Sequence, residues 1–219
     1  MKAAAHAQTS TRDLLLAAGR DIVVERGFRA MTVRHVAAAA GANLGSFVYH
    51  FGSRDAFVAE LIEVWYGPLF VRVSAAVGGG GRAIERLRAA ILQLVDFGIE
   101  QDVFLGRLVM AAANGEPAAR DFLRSLTKRH PRLLVRLVRR AQAEGSLERG
   151  HPLQVLCFLM ASVGLPRLMA SAWHGPPLFG RAASVALGRI ARDRDHIVQR
   201  LDWALRGLTP EVGNDTSDR

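Results

Sequence analysis

The chain has 219 residues, half of them hydrophobic, and a formal net charge of +9. That is enough apolar material for one large or two small cores, and the positive balance suits a polyanionic partner. A single cysteine, Cys157, excludes an internal disulfide framework and any zinc site built on several cysteines, and it fits a reducing cytosol.

The charge does not by itself mark a nucleic-acid-binding segment, because residues 1–66 carry seven basic and six acidic side chains. The opening Met1-Lys2-Ala3-Ala4-Ala5-His6 lacks the apolar core of a signal peptide, so a cytoplasmic location is expected. The most apolar stretch, 153–169, is interrupted by Gln154, Ser162, Pro166 and Arg167. It falls short of the roughly 20 apolar residues that span a bilayer, and no membrane partner is expected.

Apolar residues recur at three- and four-residue steps almost throughout, which predicts an all-α chain. The first helix is predicted from about Arg12 to Arg26, with Ser10 and Asp13 placed as a capping box and Gly27 as the C-terminal cap. Leu15, Ala18 and Ile22 share one of its faces. A short helix follows Thr32, with Met31 and Val36 spaced for a hydrophobic staple. It stops at Gly41. A third helix starts after Asn43 and carries Leu44 to His50. Gly52-Ser53 then leads into a fourth, from Arg54 to about Tyr66, which Gly67-Pro68 is expected to end.

Beyond the run Gly78 to Gly81, helices are predicted near 82–100, 103–113, 117–144 (broken at His130-Pro131), 152–173 and 181–206. Arg120, Arg124, Lys128, Arg132, Arg136 and Arg140 recur at four-residue steps. They read as a solvated face or as a surface for an anionic partner.

Three short helices over 12–51 with a tight turn at Ala40-Gly41-Ala42 have the lengths of a helix-turn-helix. Small residues at Ala37, Ala38 and Gly41 would let two helices cross closely, Gly41 would also permit the turn's backbone geometry, and Val36, Phe47 and Phe51 would fill the wedge between them. Here the chain closely resembles the TetR family. The match runs from about Thr11 to Glu63. It includes Glu25-Arg26-Gly27-Phe28, Met31-Thr32-Val33-Arg34, Val36 to Gly41, Gly45-Ser46-Phe47-Val48-Tyr49-His50-Phe51 and Ser53-Arg54-Asp55-Ala56.

The resemblance implies an N-terminal three-helix DNA-binding domain over 10–55, joined by the helix 54–66 to a helical effector-binding and dimerisation domain over 67–208, with 209–219 a disordered tail. It implies a ligand-responsive transcriptional repressor that binds a palindromic operator in double-stranded DNA as a homodimer and is released by a small-molecule effector. Helices at 152–173 and 181–206 would form the dimer. Implied DNA contacts are Thr32, Arg34, Asn43, Leu44, Ser46, Tyr49, His50 and Arg54, the last standing where the family usually has a lysine that clamps a phosphate. Leu44 replaces a position often held by lysine and Val48 one often held by tyrosine, so the operator sequence cannot be carried over. Leu44 reads equally as core or interface, and His50 as a packed ring or a DNA contact.

For the effector pocket, Phe97, Phe104, Arg107, Met110, Phe158, Met169 and Trp173 are candidates, with plain core the alternative for the apolar ones. Arg107 reads as the partner of an acidic ligand group or as half of a surface salt bridge. Nothing in the sequence points to catalysis. The seven histidines show no metal-ligand spacing, no Gly-Lys-Ser/Thr follows Gly81, and Cys157 between Leu156 and Phe158 reads as an inert buried thiol. A non-enzymatic protein without cofactor or metal is therefore expected. A helical carrier or enzyme, or a membrane-surface protein using the basic ridge, are the competing readings.

Overall fold

Each short N-terminal helix starts on the side chain the sequence offers for it. The computed structural model describes residues 10–172 and 180–210, the side chains of 168–172 excepted. Helix α1 (Thr11–Arg26) begins where Ser10 Oγ accepts the Asp13 N–H at 3.1 Å. Helix α2 (Val33–Ala39) begins where Thr32 Oγ1 accepts the His35 N–H at 3.2 Å, and α3 (Leu44–Phe51) where Asn43 Oδ1 accepts that of Ser46 at 2.7 Å. A helix of seven or eight residues is too short to hold itself in water, so caps and packing must supply its stability. Met31 and Val36, spaced for a staple, are both buried.

The remaining elements are α4 (Arg54–Gly78), α5 (Ala83–Glu100), α6 (Asp102–Ala113), α7 (Pro117–Ser125), α8 (His130–Ala143), α9 (Pro152–Ala172), α10 (Arg181–Arg192) and α11 (Arg194–Gly207). Short 3-10 turns occupy Phe28–Ala30 and Leu126–Lys128. The all-α class is what the structure has: among the described residues there is no strand. No described helix is long and apolar enough to cross a membrane.

Two helix boundaries differ from the sequence reading. The fourth helix runs through Gly67-Pro68 to Gly78. Proline removes one helical hydrogen bond, but its usual clash with the preceding side chain is missing because that residue is glycine. The expected single helix 181–206 is two. Asp193 is extended (ψ 128°), ends α10, and caps α11 by accepting from the N–H groups of Asp195 (3.0 Å) and His196 (3.2 Å). Aspartate competes for nearby backbone donors, so it starts helices better than it continues them. The predicted tail lies, for 211–219, outside the described residues.

Contacts gather the chain into two units, one holding the residues up to Pro68 with Gln101–Thr127, the other Leu69–Glu100 with Lys128 onward. In the first, α1 packs on α2, α3 and α6. Gly19 of α1 is the tightest point: a Cβ there would stand 2.5 Å from Phe57 Cζ and 2.8 Å from Cε1. Phe57 is fully buried and has nowhere to go. Gly19→Ala should therefore lose stability by about 1–3 kcal/mol in urea unfolding, although alanine is otherwise the better helix former by about 1 kcal/mol.

In the second unit α5 packs on α8, and α9 on α8, α10 and α11. The start of α5 is capped from a distance, Glu144 accepting the Ala83 N–H at 2.8 Å. Two paired arginines tie α5 to α11: Arg88 donates to Asp202 at 2.6 and 3.0 Å, and Arg194 to Asp96 at 2.6 and 3.1 Å.

His130, the first residue of α8, is pushed down to about 4 by burial and by Arg129. The folded protein therefore keeps it neutral while the unfolded chain protonates it near its ordinary 6.5. Its contribution is complete above pH 6.5 and is lost as pH falls from there to 4, up to about 2–3 kcal/mol. Urea midpoints of wild type and His130→Asn should converge across that window; parallel profiles would contradict the assignment.

Candidate nucleic-acid interface

Between α2 and α3 the chain turns in four residues. Gly41 takes φ +63° and donates its N–H to Ala38 O at 3.2 Å, while the Ala42 N–H reaches Ala37 O at 2.9 Å. This paired closure needs a left-handed residue at the glycine. The expectation that Ala38 and Gly41 serve close helix packing is not met: a Cβ on Gly41 meets nothing within 4 Å and Ala38 is exposed. Backbone conformation selects the glycine. Of the three small residues only Ala37 is buried in the crossing.

Helix α3 divides its residues sharply. Phe47 and Phe51 face inward, their rings 5.0 and 4.8 Å from that of Phe57. Leu44, Val48 and Tyr49 face outward, with Tyr49 85 % exposed. An outward apolar cluster on a polar-capped helix is unusual for a surface with no partner. Gly45 leaves the first turn of α3 bare between them.

The caps also leave donors free. Thr32 and Asn43 use their side-chain oxygens as acceptors for the helix backbone, so the Thr32 hydroxyl proton and the Asn43 amide NH2 stay available for a phosphate or base edge. Arg34 is exposed in the first turn of α2 and Ser46 is half-buried. The His50 ring lies 5.1 Å from Tyr49 and 6.1 Å from Phe51 and is half-exposed, compatible with both roles read for it. His35 is tied down, its Nδ1 3.0 Å from Ala30 O.

Arg54 is placed differently from its neighbours. Its Nε donates to Met31 O at 2.9 Å, and its Nη2 to Phe28 O at 3.0 Å and to Glu116 Oε2 at 2.9 Å. Its Nη1 reaches Glu116 Oε1 at 3.3 Å and Asp55 at 3.2 Å. The guanidinium thus fastens the start of α4 to the 3-10 turn before α2 and to the turn before α7. The Glu116 hydrogen bond holds its pKa above the usual arginine range. Glu116 was missed by the sequence reading, since it lies 62 residues from Arg54 and no local motif marks it.

The described candidate pocket residues fall in both units. Phe97 is buried in the second unit beneath the Arg72 guanidinium (5.6 Å to the ring centre), and Phe158 of that unit is exposed. Phe104 belongs to the first unit's core, between Phe28 (5.7 Å) and Trp65 (4.7 Å). Met169 and Trp173 lie outside the described side chains. Arg107 and Met110 do meet, on a groove of about 320 Å³ in the first unit. Cys157 is exposed and not the buried thiol expected, because Leu156 and Leu159 take the inward face of α9. Among the described residues no three His, Cys, Asp or Glu side chains gather as a metal site.

Residues 15–61 match the family described as bacterial regulatory proteins, tetR family. The chain is similar to the HTH-type transcriptional repressor DhaR of Mycobacterium sp. strain GP1, 24 % identical over 95 % of this chain and 97 % of that protein. It is also similar to the HTH-type transcriptional repressor KstR2 of Mycobacterium tuberculosis, 36 % identical over 38 % of this chain and 42 % of that one. Among solved structures, reduced NemR of Escherichia coli shares the fold with a TM-score of 0.64 at 22 % identity, covering 92 % of this chain and all of that one.

Proposed function

The chain belongs to the TetR family of transcription regulators, and from that premise we propose that it is a repressor that binds a palindromic operator as a homodimer and lets go when a small molecule binds. The observation that carries this is α3, a helix capped by Asn43 after a left-handed turn that puts Leu44, Val48 and Tyr49 outward and Phe47 and Phe51 inward. Such a helix enters a major groove N-terminal end first. There Tyr49, Thr32 and Arg34 supply phosphate contacts, while Asn43, Leu44 and Ser46 meet base edges, an apolar Leu44 suiting a thymine methyl. Repression is read from relatives, each named a repressor. A protein of this kind works where the chromosome is, in the cytoplasm, and needs no catalytic group.

The dimer reading rests on the second unit. Phe158 and Leu165 on α9, and Val185, Leu187 and Ile190 on α10, are all exposed in the single chain. Apolar residues at this density suit a face covered by a second copy, which would also shelter Cys157. Two-fold symmetry then offers two recognition helices to half-sites about 34 Å apart.

Selection of genomic fragments by the purified protein, followed by anisotropy titration, tests the reading. Enrichment of one palindrome bound at nanomolar scale is expected, with Tyr49→Ala weakening it by about 5- to 100-fold. No enriched sequence, or affinity indifferent to salt and to Tyr49, would remove the regulator assignment.

A further inference from the structure

The groove that unites Arg107 and Met110 is lined by three arginines, Arg26 and Arg29 from the end of α1 and the turn after it, and Arg107 from α6. Its one carboxylate, Glu116, is already engaged by Arg54. Among the described residues Arg26 and Arg29 have no carboxylate partner.

Two of the surrounding guanidinium groups are laid against glycines. The side chain of Arg107 lies 3.7 Å from where a Gly27 Cβ would be, and its Nη2 reaches Glu25 O at 3.4 Å. Arg120 similarly lies 3.8 Å from the Cβ position of Gly115, a second lining residue, and is held there by donating to Ala112 O at 2.8 Å. Both glycines have positive φ, so the backbone itself keeps these places clear. Three arginines around a groove whose one carboxylate is already engaged favour an anion. Phe28 and the exposed Met110 add an apolar wall, and the volume is that of a small ligand site.

We propose that this groove binds a small organic acid, its carboxylate on Arg107 with Arg26 and Arg29 and its apolar part on Phe28 and Met110. The proposal rests on the regulator reading only for its consequence at DNA. Phe28 and Glu116 line the groove, and the same two residues hold Arg54 at the start of α4. An occupant pressing on them loosens or re-aims that fastening beside the recognition helix, and the operator is released.

Benzoate is the probe, with benzyl alcohol as its uncharged match and inorganic phosphate as a bare oxyanion. In a Trp173→Phe/Trp203→Phe background, Trp65 is the one remaining tryptophan and touches the groove wall through Phe104 and Phe28. Its fluorescence should saturate with benzoate and not with benzyl alcohol at constant ionic strength. Phosphate should compete, and Arg107→Ala should weaken benzoate at least tenfold while leaving the far-ultraviolet circular dichroism unchanged. Absence of a saturable benzoate response, or one indifferent to Arg26→Ala/Arg107→Ala, overturns the site. Operator affinity without anion is measured separately. A protein that holds its operator but gives no titration loses the site alone, and one that titrates but selects no DNA keeps the site and loses the regulator. Saturable benzoate binding that leaves operator affinity unchanged overturns the coupling.

Discussion

Phe47→Ala is expected to lower the stability of the N-terminal unit by about 3–5 kcal/mol, the usual cost of removing a buried aromatic ring. Phe47 is 1 % exposed and its ring lies 5.4 Å from Phe51 and 5.0 Å from Phe57, so it joins α3 to α4. Deleting it leaves a cavity that a tightly packed trio of rings cannot collapse to fill. A domain is stable by only about 5–15 kcal/mol in total, so the loss is a large share. The effect concentrates on the recognition helix, whose eight residues do not hold a helix unaided. Urea unfolding followed by circular dichroism checks the magnitude. Phe47→Leu, which keeps most of the volume, should cost about 1–1.5 kcal/mol. A loss below 1 kcal/mol for the alanine variant would mean that α3 is held by its caps and not by its core face.

Arg54 carries the second large expectation. The family resemblance makes it a phosphate clamp, whereas the structure occupies its donors with Glu116 and the carbonyls of Phe28 and Met31. Removing it strands the Glu116 carboxylate, only 12 % exposed, and takes one donor each from the carbonyls of Met31 and Phe28. Breaking a buried pair costs about 3–5 kcal/mol; with Arg54 itself 31 % exposed, about 2–3 kcal/mol is the fitting figure. Lysine cannot make the forked contact, so Arg54→Lys should recover only part of the loss. A double-mutant cycle with Glu116→Ala should return a coupling of about 1–3 kcal/mol. If Arg54 served the phosphate alone, stability would not move, and Arg54→Ala would instead reduce the salt slope of DNA binding by about one.

Local signals were legible wherever one residue acts on its own few neighbours. Ser10, Thr32 and Asn43 cap helices because a side-chain oxygen three positions from an unpaired N–H needs no other context. Gly41 is recognisable as a turn because its φ is unavailable to most residues, the backbone role read for it, whereas the close packing also read for it is absent. The inward pair Phe47 and Phe51 follows from helical spacing, as does the all-α class. Proline at 68 misled the reading because its effect depends on the residue before it, and the break at Asp193 was hidden by apolar periodicity continuing on both sides.

Residues far apart in the chain met only through packing. Glu116 against Arg54, Glu144 on the first turn of α5, Asp202 against Arg88, and the grouping of α6 and α7 with the N-terminal helices have no counterpart in local pattern, since a carboxylate carries no mark of which distant cation it will find. The candidate pocket residues other than Arg107 are large and apolar, a property core and cavity share, so local pattern does not tell a pocket wall from core. The sequence by itself determined the helices, the caps, the left-handed turn and the resemblance that identifies the DNA-reading segment, because each depends on chemistry within a few residues. Tertiary structure alone decided that Arg54 is fastened, that Leu44 and Val48 face outward with Tyr49, and that Arg26, Arg29 and Arg107 share one groove, because exposure and charge balance are properties of a surface that only the folded chain has.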